Sequence, residues 1–363
     1  MKSLDDLPTP AVLIDLDVLE RNIARMQQRA REAGVALRPH AKTHKSPEVA
    51  RMQLSAGARG LTLAKTSEAE VFANLGFDDI FLGYPIFGAD KARRLLALAD
   101  RVRLTVGVDS VEGGRSLGDV FHAAGRRLRV MLKIDCGFRR VGIEPAAAPE
   151  MARRIADLPG LELAGLFTHG GQGYGGQSPA DVARVGADEG RIVTEAADAV
   201  RAAGLPVAEV SLGSTPTVRA AIGVRGVTEC RPGTYVYNDR SQVALGSAAL
   251  EDCAMTVLAT VVSASAPDRA VVDAGSKTLS TDAMRPRADG NGIVAGRQSR
   301  IARVSEEHGV IAVAPGESFR IGERVRILPN HACVVSNLHD VLVAVRGDRV
   351  EGEIRVAARG CVQ

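Results

Sequence analysis

The stretch Arg38-Pro39-His40-Ala41-Lys42-Thr43-His44-Lys45-Ser46-Pro47 carries an extended segment into a helix within a few positions. Residues 36–41 complete a strand-like run, and Ser46 followed by Pro47 reads as a helix N-cap and first helical residue. Lys42 therefore stands where a strand runs out. Arg38, His40, His44 and Lys45 crowd it with other cations, which makes its own proton costly and favours a free amine that attacks a carbonyl. A basic surface loop is the competing reading, and the rest of the chain decides between them.

Outward from this unit, strand-like and helical patterns alternate. After 36–41, strands are predicted near 60–64, 79–83, 103–109, 128–135, 161–168, 207–212 and 228–236. Helices are predicted near 46–56, 66–74, 89–98, 111–125, 145–157, 178–203 and 216–222. Ser178 and Pro179 open the sixth of these, and Gly204 lies just past its end. Eight strands, each but the last followed by a helix, predict an α/β fold: a (β/α)8 TIM-like barrel over residues 18–245. After residue 245 the pattern changes to short strands near 254–263, 270–273, 310–313, 324–328 and 341–345, broken by Gly, Pro and Asp, with no helical periodicity. Gly347 and Asp348 read as a hairpin turn. Residues 246–363 are therefore expected to form an all-β C-terminal domain, joined by the strand at 11–16 within the N-terminal residues 1–17.

A chain of 363 residues has room for a barrel of roughly 200–250 residues and a second module. Its 45% apolar and 25% charged residues are those of a soluble globular protein. A net charge of only +3, 3% aromatics and no Trp argue against nucleic acid as a partner. Met-Lys-Ser-Leu-Asp-Asp is not an apolar leader, and no stretch approaches the ~18 apolar residues of a membrane span. The five scattered cysteines, without a Cys-x-x-Cys, suit a reducing compartment, so a cytoplasmic protein is expected.

In a barrel, function collects at the carboxyl ends of the strands. Lys42 ends the first strand and Arg140 follows the fifth. His169 ends the sixth, with Tyr174 close behind; Gly213, Ser214 and Thr215 end the seventh; Gly233, Thr234 and Tyr235 belong to the eighth. A glycine-and-hydroxyl turn after strands seven and eight is a phosphate cradle, because bare N–H groups and a helix start point at the anion. Beside a strand-end lysine it predicts pyridoxal 5'-phosphate held by Lys42 as a Schiff base, with His40 alongside. Lys45 and Lys65 compete for that bond, and strand-end placement favours Lys42.

A second constellation is Pro329-Asn330-His331-Ala332-Cys333, directly after a β run. Alternate residues on an extended chain face the same way, so His331 and Cys333 are expected to approach one ion. A thiolate with an imidazole favours zinc, and two protein ligands leave positions for water or substrate. A packed cysteine beside a backbone-bonded histidine is the plain alternative. His339 and Asp340 are further ligand candidates or a solvated turn, and His308 is a turn residue or a site residue.

Taken in order, these motifs resemble the pyridoxal-phosphate enzymes with an alanine-racemase-like barrel, in the branch of D-threonine aldolase and eukaryotic-type D-serine dehydratase. The resemblance runs through Leu7-Pro8-Thr9-Pro10-Ala11, Arg38 to Lys45, Gly213-Ser214-Thr215-Pro216, Thr228-Glu229 through Asp239, Glu307-His308-Gly309 and Asn330-His331-Ala332-Cys333. It implies that Lys42 carries the cofactor, that His331 and Cys333 hold a catalytic divalent metal (zinc or manganese, with magnesium a third choice), and that the enzyme is a homodimer. The substrates it implies are D-amino acids with a β-hydroxyl, and the reaction is that of a lyase. His169 or a metal-bound water is the candidate base, and Arg140 the group that reaches the cofactor's ring. Asn337-Leu338-His339-Asp340 and Asp273-Ala274-Gly275-Ser276-Lys277 are similar to the aldolase, whereas Cys333 and Lys133-Ile134-Asp135-Cys136-Gly137 are similar to the dehydratase. The expected activity is that of a D-threonine aldolase, giving glycine and an aldehyde. The alternative is dehydration of D-serine or 3-hydroxyaspartate to a keto acid and ammonia. An alanine racemase would need a tyrosine from the β-domain, and no tyrosine follows residue 245.

Overall fold

The computed structural model describes residues 3–283 and 289–363, which divide into two compact units. One comprises Met26–Lys42, Gln53–Gly233 and Gly360–Gln363; the other comprises the chain up to Arg25, Thr43–Met52 and Thr234–Arg359.

Strand β1 (Ala11–Asp15) precedes the first unit's strands. These are β2 (Ala36–Leu37), β3 (Leu61–Leu63), β4 (Asp79–Pro85), β5 (Arg103–Val108), β6 (Leu128–Lys133), β7 (Leu161–Phe167), β8 (Glu209–Leu212) and β9 (Glu229–Cys230). All are parallel, in the order β2-β9-β8-β7-β6-β5-β4-β3. A parallel bridge from His40 to Thr62, with the Thr62 N–H donating to the Pro39 carbonyl at 2.9 Å, joins β2 to β3 and closes the circle. This is the expected (β/α)8 barrel. The strands predicted at 36–41 and 228–236 shrink to two residues each, since Pro39 and Pro232 bring no N–H to the ladder.

Phe81, Met131, Ala164 and Phe167 form a buried cluster, with the two rings edge to face at 5.1 Å. A Cβ on Gly107 in β5 would lie 2.5 Å from Phe167 Cζ, so only glycine there leaves the ring its place. Asp79, Glu209 and Glu229, the first residues of β4, β8 and β9, accept a set of arginines. Arg38 pairs with Glu229 at 2.7 Å and with Asp79 at 2.5 Å, while Arg59 and Arg129 meet Glu209 at 2.7 and 3.2 Å. Helix starts follow the sequence signals: Ser178 caps the long helix Pro179–Ala202 through the Asp181 N–H at 3.1 Å.

The second unit contains β10 (Met255–Ala266), β11 (Arg269–Val272), β12 (Gly292–Val294), β13 (Arg300–Val304), β14 (Gly309–Ala312), β15 (Arg324–Pro329), β16 (Val341–Arg346) and β17 (Arg349–Arg355). Their order is β11-β14-β13-β12-β15-β10-β1-β16-β17, and β10 also pairs with β11, so β10 to β15 close on themselves. Strand β1 joins this sheet, antiparallel to β10 and parallel to β16. The expectation of no helix here is corrected: Ser276–Leu279 and Ala332–Leu338 are helical, both too short for a periodic apolar stripe to register in the sequence. Among the described residues no helix is long and apolar enough to cross a membrane.

Candidate active site

Lys42 lies in a 3-10 turn, Ala41–Thr43, just after His40 bridges to Thr62. Its backbone N–H faces His40 Nδ1 at 3.5 Å. Burial holds the His40 imidazole well below its ordinary range, and the charges of Lys42 and Arg231 push it further down. Burial acts on His169 in the same way, reinforced by Lys42 and Lys133. Both rings are thus neutral. His169 Nδ1 faces the Gly213 carbonyl at 3.2 Å, a contact that needs its proton on Nδ1 and leaves Nε2 with the basic lone pair.

Two cations that the sequence reading did not single out complete this group. Lys133, at the end of β6, lies 4.7 Å from the Phe167 ring; burial, then the nearby Arg231 charge, lower its pKa to about 7. Arg231, after β9, is buried 5.5 and 5.3 Å from the Phe81 and Phe167 rings. Its Nε donates to Ser211 Oγ at 2.8 Å, and its other arm donates to the Thr168 carbonyl. Arg140 stacks on Phe138 at 4.6 Å, and its charge reaches Lys133.

A carboxylate that acts on both Lys133 and Arg231 is Glu189, wholly buried in the long helix. Its Oε1 accepts the Gly170 and Gly213 N–H groups at 2.7 and 2.9 Å, and its Oε2 accepts Thr217 Oγ1 at 2.6 Å. Thr217 Oγ1 in turn lies 2.9 Å from Ser214 Oγ. The Gly213 N–H, expected to point at a phosphate, therefore goes to Glu189.

In the other unit, β15 runs into His331, the N-cap of helix Ala332–Leu338, which places Cys333 in its first turn. The predicted extended alternation is absent, and the strand-to-helix turn brings the two side chains into hydrogen-bond contact instead. Burial alone would lower the His331 imidazole, but Cys333, Asp239 and Asp282 raise it to about 10. Burial pushes the Cys333 thiol up, and His331 more than offsets this, so the thiol lies below its ordinary range. Thr43 Oγ1 and Thr234 Oγ1 face the sulfur at 3.2 and 3.6 Å. Asp239 accepts the Ala332 N–H at 3.0 Å and so fixes the backbone between the two donors. The buried Tyr237 hydroxyl has no hydrogen-bond partner among the described residues, and its electrostatic neighbours are Glu48 and Cys333. Among the described residues no group of three or more His, Cys, Asp or Glu meets as a metal cage. The pair thus offers one soft and one borderline donor, the chemistry of an open zinc-type site.

The remaining candidates sort by unit. Tyr174 lies in the 3-10 stretch Gly171–Gly175, and Gly233 closes the barrel unit. Thr234 and the buried Tyr235 fall in the other unit, Thr234 beside Cys333. Of the cations expected around Lys42, His40 acts on it directly, and the others have further partners. Arg38 pairs with Glu229 and Asp79, His44 Nδ1 accepts the Ser46 N–H at 3.0 Å, and the Lys45 carbonyl accepts the Ala358 N–H at 3.2 Å. Lys65 sits over the Tyr84 ring at 4.4 Å. His308 belongs to the turn between β13 and β14, His339 faces the Thr278 carbonyl at 3.4 Å, and Asp340 pairs with Arg359.

Lys133 and Arg231 stand at strand ends just as Lys42 does, so the same reasoning had the means to find them. Glu189 looks like one more acid on a long helix. Its signal is the pair of flanking glycines: a Cβ on Gly186 would lie 2.5 Å from the Thr217 carbonyl, and one on Gly190 2.6 Å from Val224 Cγ2.

A family model for the alanine racemase N-terminal domain matches residues 14–241, and one for a putative serine dehydratase domain matches 254–345. The chain is 38% identical to D-threo-3-hydroxyaspartate dehydratase of Delftia sp. (strain HT23), over 94% of this chain and 95% of that one. It is 34% identical to D-threonine aldolase of Arthrobacter sp, over 97% and 93% of the two chains. The crystal structure of D-threonine aldolase from Filomicrobium marinum superposes with a TM-score of 0.90 at 33% identity, covering 100% of both chains. With an eight-stranded barrel, a strand-end lysine and matches over nearly its whole length, the chain belongs to the alanine-racemase-like family that contains D-threonine aldolase and D-serine dehydratase.

Proposed function

We propose that this enzyme is a pyridoxal-phosphate- and divalent-metal-dependent lyase of D-amino acids with a β-hydroxyl, acting as a D-threonine aldolase. One observation carries the reading: Lys42 stands at a barrel strand end with the neutral His169 and the buried Lys133 and Arg231. The residues fit the cofactor. The buried Lys133 and Arg231 act on Glu189, which already accepts three hydrogen bonds, and Arg231 also acts on Glu229, which already holds Arg38, so a phosphorylated anion balances the group. They fit a metal too, through the thiol and imidazole of Cys333 and His331 beside the orphaned Tyr237 hydroxyl. When bound, the cofactor draws electrons from the substrate's Cα, and the ion polarises its β-oxygen.

The chain's own residues supply the rest. Lys42 gives the attaching amine, and Ser214 and Thr215 bind the phosphate. Arg231, held by Ser211 and Thr168, and Arg140 keep positive charge at the ring. His169 accepts a proton at Nε2, its tautomer fixed by the Gly213 carbonyl. We also read the enzyme as a cytoplasmic homodimer, in line with its family and its scattered cysteines.

A second reading, elimination to a keto acid and ammonia, is favoured by the cysteine at position 333 and by the 38% identity to the Delftia dehydratase. That dehydratase has a cysteine-to-alanine variant in a metal-free form, which supports a thiolate as a metal donor. Stripping the purified enzyme with a chelator should abolish turnover of D-threonine, and Mn²⁺ or Zn²⁺ should restore it. Full activity after stripping would remove the metal from the proposal.

A further inference from the structure

Asp282 and His331 are tied together twice. The Asn330 side chain, immediately before His331, donates to the Asp282 carbonyl at 3.0 Å and to the Gly290 carbonyl at 2.8 Å. Arg240 donates to the Asn330 side-chain oxygen at 3.1 Å and fixes the amide's orientation. The Asp282 carboxylate, delivered by that backbone link, then meets His331 Nδ1 at 2.7 Å.

We propose that Asp282 is a positioning residue for the metal: it holds the His331 proton on Nδ1 and turns Nε2 toward the ion beside Cys333. This rests on the metal reading of His331 and Cys333. A carboxylate on the second ring nitrogen of a ligating histidine sets the tautomer, locks the ring and raises the donor strength of the other nitrogen. Asp282 is not a third ligand, because among the described residues no three His, Cys, Asp or Glu groups converge. Its link to Asn330 explains why a residue far away in sequence reaches this ring at all. Backbone restraint on the other side comes from Asp239 through the Ala332 N–H, so the two ligands are held from both flanks.

The test is the affinity of the cofactor-loaded, chelator-stripped enzyme for Zn²⁺, titrated against a chromophoric chelator. Asp282→Ala should weaken binding by about 10- to 100-fold, and Asp282→Asn, which keeps an acceptor oxygen, should fall between it and the parent. Cofactor content and the unfolding midpoint of the metal-free protein should not move, which separates positioning from a general structural role. The thiolate-to-metal absorption of the Co²⁺-loaded variant should persist, because Cys333 is untouched. An Asp282→Ala affinity within twofold of the parent would overturn the inference while leaving the metal site standing. A parent enzyme that binds no Zn²⁺ would overturn both.

Discussion

Glu189 accepts the Gly213 N–H at 2.9 Å and, through the same oxygen, the Gly170 N–H at 2.7 Å. One buried carboxylate thereby ties the loop after His169 to the turn that carries Ser214.

Glutamine at position 189 offers one acceptor oxygen to three donors, so at least one buried donor loses its partner. Glu189→Gln is expected to destabilise the protein by about 2 kcal/mol and to weaken pyridoxal phosphate retention. Denaturant unfolding and equilibrium dialysis check the two effects. Unchanged cofactor affinity would show that Glu189 only supports the fold.

Glu229 is 1% exposed and receives Arg38 Nε at 2.7 Å and Ser211 Oγ at 2.8 Å. Removing its charge leaves the buried Arg38 with Asp79 alone. Glu229→Gln should cost about 3 kcal/mol of unfolding free energy. A loss below about 1 kcal/mol would place the pair with weak surface bridges.

Lys133 gives a pH signature. Burial, then Arg231, lowers its pKa from 10.5 to about 7, so the folded chain resists the proton that the unfolded chain binds. The unfolded state therefore holds more protons between these values, and stability rises with pH across that window. Lys133→Met should stabilise the cofactor-free protein by about 5 kcal/mol below pH 7. The gain should shrink through the window and vanish above 10.5. Denaturant midpoints of the two proteins across pH test this, and a pH-independent difference would contradict it.

Lys42→Ala should lose the absorbance band of lysine-bound cofactor in the purified protein, whereas Lys45→Ala and Lys65→Ala should keep it. Lys45 lies in the segment grouped with the β-unit and Lys65 on the Tyr84 ring. Retention of the band without Lys42 would move the attachment point to one of these two.

The barrel was legible because apolar strand runs alternate with helices, most of them long enough for a period to show, and because serine and glycine punctuate them. Strands β12 and β13 and the helix at Ala332–Leu338 were not: they are short, and long-range pairing rather than local pattern makes them. Lys42, His169, His331 and Cys333 could be singled out from strand-end position and donor chemistry. What surrounds them could not, since proximity in sequence misled at Arg38, whose guanidinium turns to Glu229, 191 residues away. Asp282 reaches His331 across 49 residues, and no local pattern announces it.

The most direct test of the central claim is product analysis of the purified, cofactor-loaded enzyme with Mn²⁺ or Zn²⁺, given D-threonine and D-serine separately. Glycine and acetaldehyde from D-threonine, lost in His331→Ala with its cofactor intact, is the predicted result. Pyruvate and ammonia from D-serine, with no glycine from D-threonine, would contradict the aldolase and make the chain a dehydratase.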